Sequence, residues 1–117
     1  MYLQKFSKLS AFATPIILMT ATAAFAQGLS TGSYVMNQQG DCATLVLRGA
    51  GPQGNEYRFD EGCNGQNVFT AQSVRVTGSG VQVDQGEMRN IAVDASGFTT
   101  DWVLRGQTTR GLVFRRQ

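Results

Sequence analysis

The stretch VRVTGSGVQVDQGE, Val74 to Glu87, decides the fold class. Val74 and Val76, then Val81 and Val83, alternate with the polar Arg75 and Gln82. That is the two-residue period of a strand with one face on a core and the other in water. TGSG separates the two pairs and QGE follows them. Their glycines and small polar side chains suit the tight reversals of antiparallel hairpins.

The same pairing continues on both sides, at Tyr34/Met36, Leu45/Leu47, Tyr57/Phe59, Ile91/Val93, Trp102/Leu104 and Leu112/Phe114. Further turn chemistry stands at GAGPQGN (Gly49 to Asn55), ASG (Ala95 to Gly97) and GQTTRG (Gly106 to Gly111). Eight short strands in sequential antiparallel order are expected. Such a meander leaves two exposed edges unless it closes on itself. The predicted fold is therefore all-β, a small eight-stranded antiparallel up-and-down β-barrel, with a two-sheet sandwich as the alternative. Inward Tyr, Phe, Trp and Met side chains are expected to fill its interior. Two places break the pattern. Cys42 is out of phase with Leu45 and Leu47, which predicts a bulge or a strand start just after it. Gly62 to Ala71 lacks alternation, and a short helical turn there would bury Val68 and Phe69 and cap one barrel end.

Residues 1–26 read as a secretory signal peptide: Lys5 and Lys8 make a positive start, Leu9 to Met19 is mostly apolar, and Ala24-Phe25-Ala26 is a small-x-small cleavage site. The single domain then spans 27–117. The apolar run is short and interrupted by Ser10, Thr14 and Pro15, which argues against a membrane span. No cysteine follows the cleavage site, so no lipid anchor is expected. Both lysines leave with the leader, while eight arginines and eight acidic residues stay, giving a formally neutral mature chain without the basic footprint of a nucleic-acid binder. In an exported chain the two cysteines, Cys42 and Cys63, read as one disulfide.

The chain contains no histidine, which removes Ser-His-Asp and Cys-His nucleophiles and every histidine metal site. The carboxylates that remain are Asp41, Glu56, Asp60, Glu61, Asp84, Glu87, Asp94 and Asp101, mostly at turns or on outward strand phases. No calcium loop or phosphate loop is spaced among them. A non-catalytic protein without metal or cofactor is expected, in which Trp102, Tyr34 and Tyr57 serve as core.

The order of these features resembles the alkaline proteinase inhibitor family (Inh-type), whose relatives include bacterial outer-membrane lipoproteins carrying the same small domain. The resemblance lies in GLSTGSYVM, GDCATLVL, YRFDEGC, VRVTGSGVQVDQGE and RGLVFRR, running through nearly all of Leu29 to Arg116. It implies a periplasmic or secreted barrel that inhibits secreted zinc metalloproteases of the serralysin type. In that mode an N-terminal arm enters the protease cleft with its amino end toward the zinc, so Gln27, Gly28, Leu29, Ser30 and Thr31 become the contact residues. Gln27 and Gly28 alone precede LSTGSY, and two or three extended residues reach under roughly 10 Å. The alternatives are an envelope structural or assembly protein that binds another protein or a surface glycan and, ranked lower, a carrier of a small apolar ligand.

Overall fold

The computed structural model describes residues 28–117. The segment read as leader and the residue after it, Gln27, lie outside them. Nine strands follow one another: β1 Gly32–Gln38, β2 Asp41–Leu47, β3 Glu56–Glu61, β4 Asn67–Thr70, β5 Val74–Val76, β6 Gly80–Val83, β7 Gly86–Asp94, β8 Gly97–Leu104 and β9 Gln107–Arg116. They form one antiparallel sheet in the order β4-β3-β2-β1-β9-β8-β7-β6-β5, curled into a half-barrel. The all-β class and the meander agree with the sequence; the strand count is nine rather than eight.

The additional strand is β4, in the segment expected to make a helical turn. Instead NVFT pairs with β3 through Arg58↔Thr70, Phe59↔Phe69, Asp60↔Val68 and Glu61↔Asn67. Val68 and Phe69 are therefore not buried in a cap but stand 38% and 45% exposed. The turn before β4 needs left-handed backbone at Gly62, Cys63 and Gly65, and Asp60 holds it by accepting the Gly65 N–H at 3.0 Å. Cys42 likewise differs from expectation. It lies inside β2 in unbroken register with Asn37 and Asp60, on the face opposite Ala43, Leu45 and Leu47. Its phase is that of the outer surface, where it bonds Cys63 in the predicted disulfide.

Curvature comes from two bulges that flank the same point of β8. The β7–β8 register shifts between Arg89 and Ala92, with Asn90 left-handed, and the β8–β9 register shifts between Thr109 and Leu112, with Gly111 left-handed. Asp101 serves both bulges, accepting Asn90 Nδ2–H at 2.9 Å and the Gly111 N–H at 3.1 Å. On the inner face Thr100, 2% exposed, donates its hydroxyl to the Arg89 carbonyl at 2.7 Å. The hydroxyl of a buried threonine is thereby satisfied inside the half-barrel.

The ladder does not close. Edge strands β4 and β5 are consecutive in the chain and joined by Ala71, Gln72 and Ser73, yet no strand pairing links them. Loop contacts cover the seam instead. The Val76 N–H donates to the Ala50 carbonyl at 2.9 Å, Asn55 Nδ2–H donates to the Val74 carbonyl at 3.0 Å, and Asp84 accepts the Gln72 and Ser73 N–H groups.

The interior is filled at one end only. There Tyr34 meets Phe98 edge-on with centroids 5.1 Å apart, and Phe98 stacks on Phe114 at 5.0 Å. Each such contact is worth about 0.5–1.5 kcal/mol beyond area burial. Leu29, 1% exposed, joins this core from the segment before β1.

Candidate functional site

At the other end of the half-barrel the expected filled interior gives way to an open cup of about 930 Å³. Strands of period two bring alternate residues to it: Met36 and Gln38 from β1, Tyr57 and Phe59 from β3, Phe69 from β4, Trp102 and Leu104 from β8, Thr109 and Leu112 from β9. The interior stays open because Gln38 and Thr109 occupy positions where further large apolar side chains would fill it.

Tyr57 and Trp102 come from strands far apart in the sheet and stack with centroids 5.8 Å apart and planes within 13°. Gly86 makes this possible. A Cβ there would lie 2.4 Å from the indole Cη2, so only glycine lets the ring lie against β7. Tyr57 is 5% exposed, and burial pushes its phenol up to about 12. Among the described residues its hydroxyl has no hydrogen-bond partner, an uncommon state for a buried phenol.

Two-residue hairpin turns shape the rim. Gln39-Gly40 and Arg105-Gly106 have both residues left-handed, while Asp84 alone is left-handed in the third turn, Asp84-Gln85. Gln39, Asp84 and Arg105 all border the cup. Gln38 is engaged with the β9 bulge: its Oε1 accepts the Val113 N–H, and its Nε2–H donates to the Gly111 carbonyl at 3.4 Å.

The residues singled out for partner contact lie at the opposite end of β1. Gln27 is outside the described residues and Gly28 is exposed. Leu29 is buried in the core. Arg116 holds the next residues, donating to Ser30 Oγ, to the Thr31 carbonyl at 3.4 Å and to the Tyr34 hydroxyl at 3.0 Å. The Tyr34 hydroxyl donates to the Ser30 carbonyl at 2.6 Å. The structure thus places Gly28 to Thr31 away from the cup, at roughly 3.3 Å per strand residue about 20 Å along β1.

Sequence reasoning placed Tyr57 and Trp102 inside but did not bring them together around a cavity. A signal was present: Gln38 continues the inward phase of Tyr34 and Met36 as a polar residue. The rim residues carry no such signal, because an αL turn position is not marked by residue type when Arg or Gln occupies it.

The candidate carboxylates do not converge. Asp60, Asp84, Asp94 and Asp101 each accept a backbone N–H at a turn or bulge. Among the described residues no group of three or more His, Cys, Asp or Glu is placed to hold a metal ion, and no helix is long and apolar enough to cross a membrane. Comparison with protein-family models, with curated proteins and with solved structures finds no match. The cup's geometry therefore carries the functional argument.

Proposed function

We propose that this is a non-catalytic binding protein of the periplasm or the extracellular space, and that the cup is its working site for a small apolar molecule. The observation that carries the reading is the 930 Å³ cavity walled by Tyr57, Phe59, Phe69 and Trp102. Its size lies within the roughly 300–1,000 Å³ of small-molecule sites, and it joins an apolar wall to a polar rim. A domain this small has little apolar surface to leave unburied. Export is supported by the leader, and the Cys42–Cys63 disulfide is compatible with an oxidising compartment.

The sole tryptophan lies in the cup wall, so its emission reports occupancy directly. Titration with the neutral probe N-phenyl-1-naphthylamine is expected to quench Trp102 saturably at one probe per chain. Absence of saturable quenching up to the probe's solubility limit would sink the cup reading.

Inhibition of a secreted zinc metalloprotease is a second reading, favoured by the clamp on the N-terminal segment. Burial of Leu29 and the Arg116 contacts to Ser30 and Thr31 give any preceding residue a fixed point of departure, which lowers the entropy lost on docking. In that reading Gln27 and Gly28 touch the protease while Leu29, Ser30 and Thr31 position them. A serralysin-type protease assayed with excess protein tests it, and unchanged proteolysis sets it aside. Binding to an envelope protein or surface glycan has no separate structural feature in its favour.

A further inference from the structure

The polar groups around the cup are not equivalent, and the difference points to a class of ligand. Both rim carboxylates already accept backbone N–H groups: Asp84 from Ser73 at 2.8 Å and Asp41 from Gly62 at 3.0 Å. Gln38 is tied to β9. Among the described residues Arg105 has no such commitment. The ion pairs of the described residues are Arg48–Glu56 and Arg89–Glu87, and Arg105 belongs to neither.

Arg105 also occupies a position that its residue type does not favour. With φ at 52° it is the first residue of a turn in which Asn, Asp or Gly is preferred. The turn gains nothing visible from the long cation, which borders the cavity. Non-glycine residues held in the left-handed region concentrate at ligand clamps and similar functional places. From Arg105 the cup wall continues through Leu104 and Trp102 to the buried Tyr57, whose hydroxyl has no partner among the described residues.

We infer that the cup takes an organic anion with an apolar body, an aromatic or fatty carboxylate, with its charged group on Arg105 and its body against Trp102, Tyr57 and Phe69. The inference rests on the cup being the binding site. Asp41, Asp84 and Arg105 together leave the rim with a formal charge of −1, so attraction of the anion depends on direct contact with the guanidinium and not on the general field. A charge-assisted hydrogen bond of that kind has the directional strength to discriminate an anion from a neutral analogue.

Two probes with similar apolar bodies separate the alternatives. The disulfide-intact chain is titrated with anionic 1-anilinonaphthalene-8-sulfonate and with neutral N-phenyl-1-naphthylamine, following Trp102 quenching, and both titrations are repeated on Arg105→Gln and Arg105→Lys. Arg105→Gln is expected to weaken the anionic probe about five- to tenfold and the neutral probe less than about twofold, with Arg105→Lys recovering part of the loss. A urea midpoint equal to that of the parent shows that each variant is folded. If both probes bind and Arg105→Gln leaves the anionic affinity unchanged, the anion assignment is overturned and the cup reading stands. Failure of both probes to bind the parent chain removes the cup reading and this inference with it.

Discussion

Reducing the Cys42–Cys63 disulfide tests both the stability and the site. The bond closes a sequence separation of 21 residues. In the chain-entropy model that closure removes about 11 cal/mol/K from the unfolded chain, or ~3 kcal/mol at room temperature. A domain of this size has a total stability of roughly 5–13 kcal/mol, so the reduced protein should stay folded in water. With a urea slope of about 1 to 1.5 kcal/mol/M, the midpoint should fall by about 2 to 3 M. Reduction with a phosphine is preferable to substitution, because it opens the bond while leaving both side chains in place. The loss should not be spread evenly. Cys63 staples the turn that leads into β4, and β4 is held to the sheet only by its short ladder with β3. Amide exchange in β4 should therefore accelerate before that in β8 or β9, and N-phenyl-1-naphthylamine should bind more weakly as Phe69 leaves the wall. A midpoint shift below about 1 M, or exchange that accelerates equally in β4 and β8, would refute the reasoning.

Glycine positions give a sharp contrast: Gly80→Ala places a Cβ 1.9 Å from the Met88 carbonyl oxygen, whereas Gly78→Ala meets nothing within 4 Å. Urea unfolding should show a loss of at least ~2 kcal/mol for the first, or no folded protein, and a change within ~0.5 kcal/mol for the second. Asp101 is held below the usual carboxylate range by its hydrogen bonds from Asn90 and Gly111. A depressed folded-state pKa contributes stability that is present above the unfolded value and lost as pH falls through the folded one. Acid titration of stability should thus be shallower below about pH 4 in Asp101→Asn than in the parent, and superimposable curves would count against the bulge-anchoring role.

Alternation of apolar residues made most of the sheet legible, because period two is imposed by the pleat itself. Tyr34, Leu45, Leu47, Val74, Val76, Val81, Val83 and Phe114 are all buried where the pattern placed them. Asn67 to Thr70 was not legible. Four residues on an exposed edge strand carry no burial pattern, since neither face is covered. The β7 bulge hid Met88, which is fully buried although it falls outside the Ile91/Val93 pair, and Val93, in phase with Ile91, ends 43% exposed at the strand terminus. The cup was illegible for a different reason. Large inward side chains imply a filled interior only if the sheet closes around them, and closure is a property of register shifts and edge pairing rather than of residue type. The strand period marks Tyr57 and Trp102 as inward residues, but the volume between them and the rim depends on Gly86, the bulges and the unpaired seam.

That seam has a topological consequence. With β4 and β5 unpaired, every ladder except one joins strands that are consecutive in the chain. The exception is β1 with β9, where Tyr34 pairs with Arg116 and Val35 with Arg115, a contact between residues 82 apart in the first pair. The molecule is thus two local meanders, β1 to β4 and β5 to β9, zipped together by one long-range ladder. The side chain of Arg116 sits on that zipper and clamps Ser30, Thr31 and Tyr34 across it. Each meander can form from neighbouring residues, whereas their union must bear the loop-closure entropy of most of the domain in a single step. The last residues of the chain thereby join the two halves of the sheet.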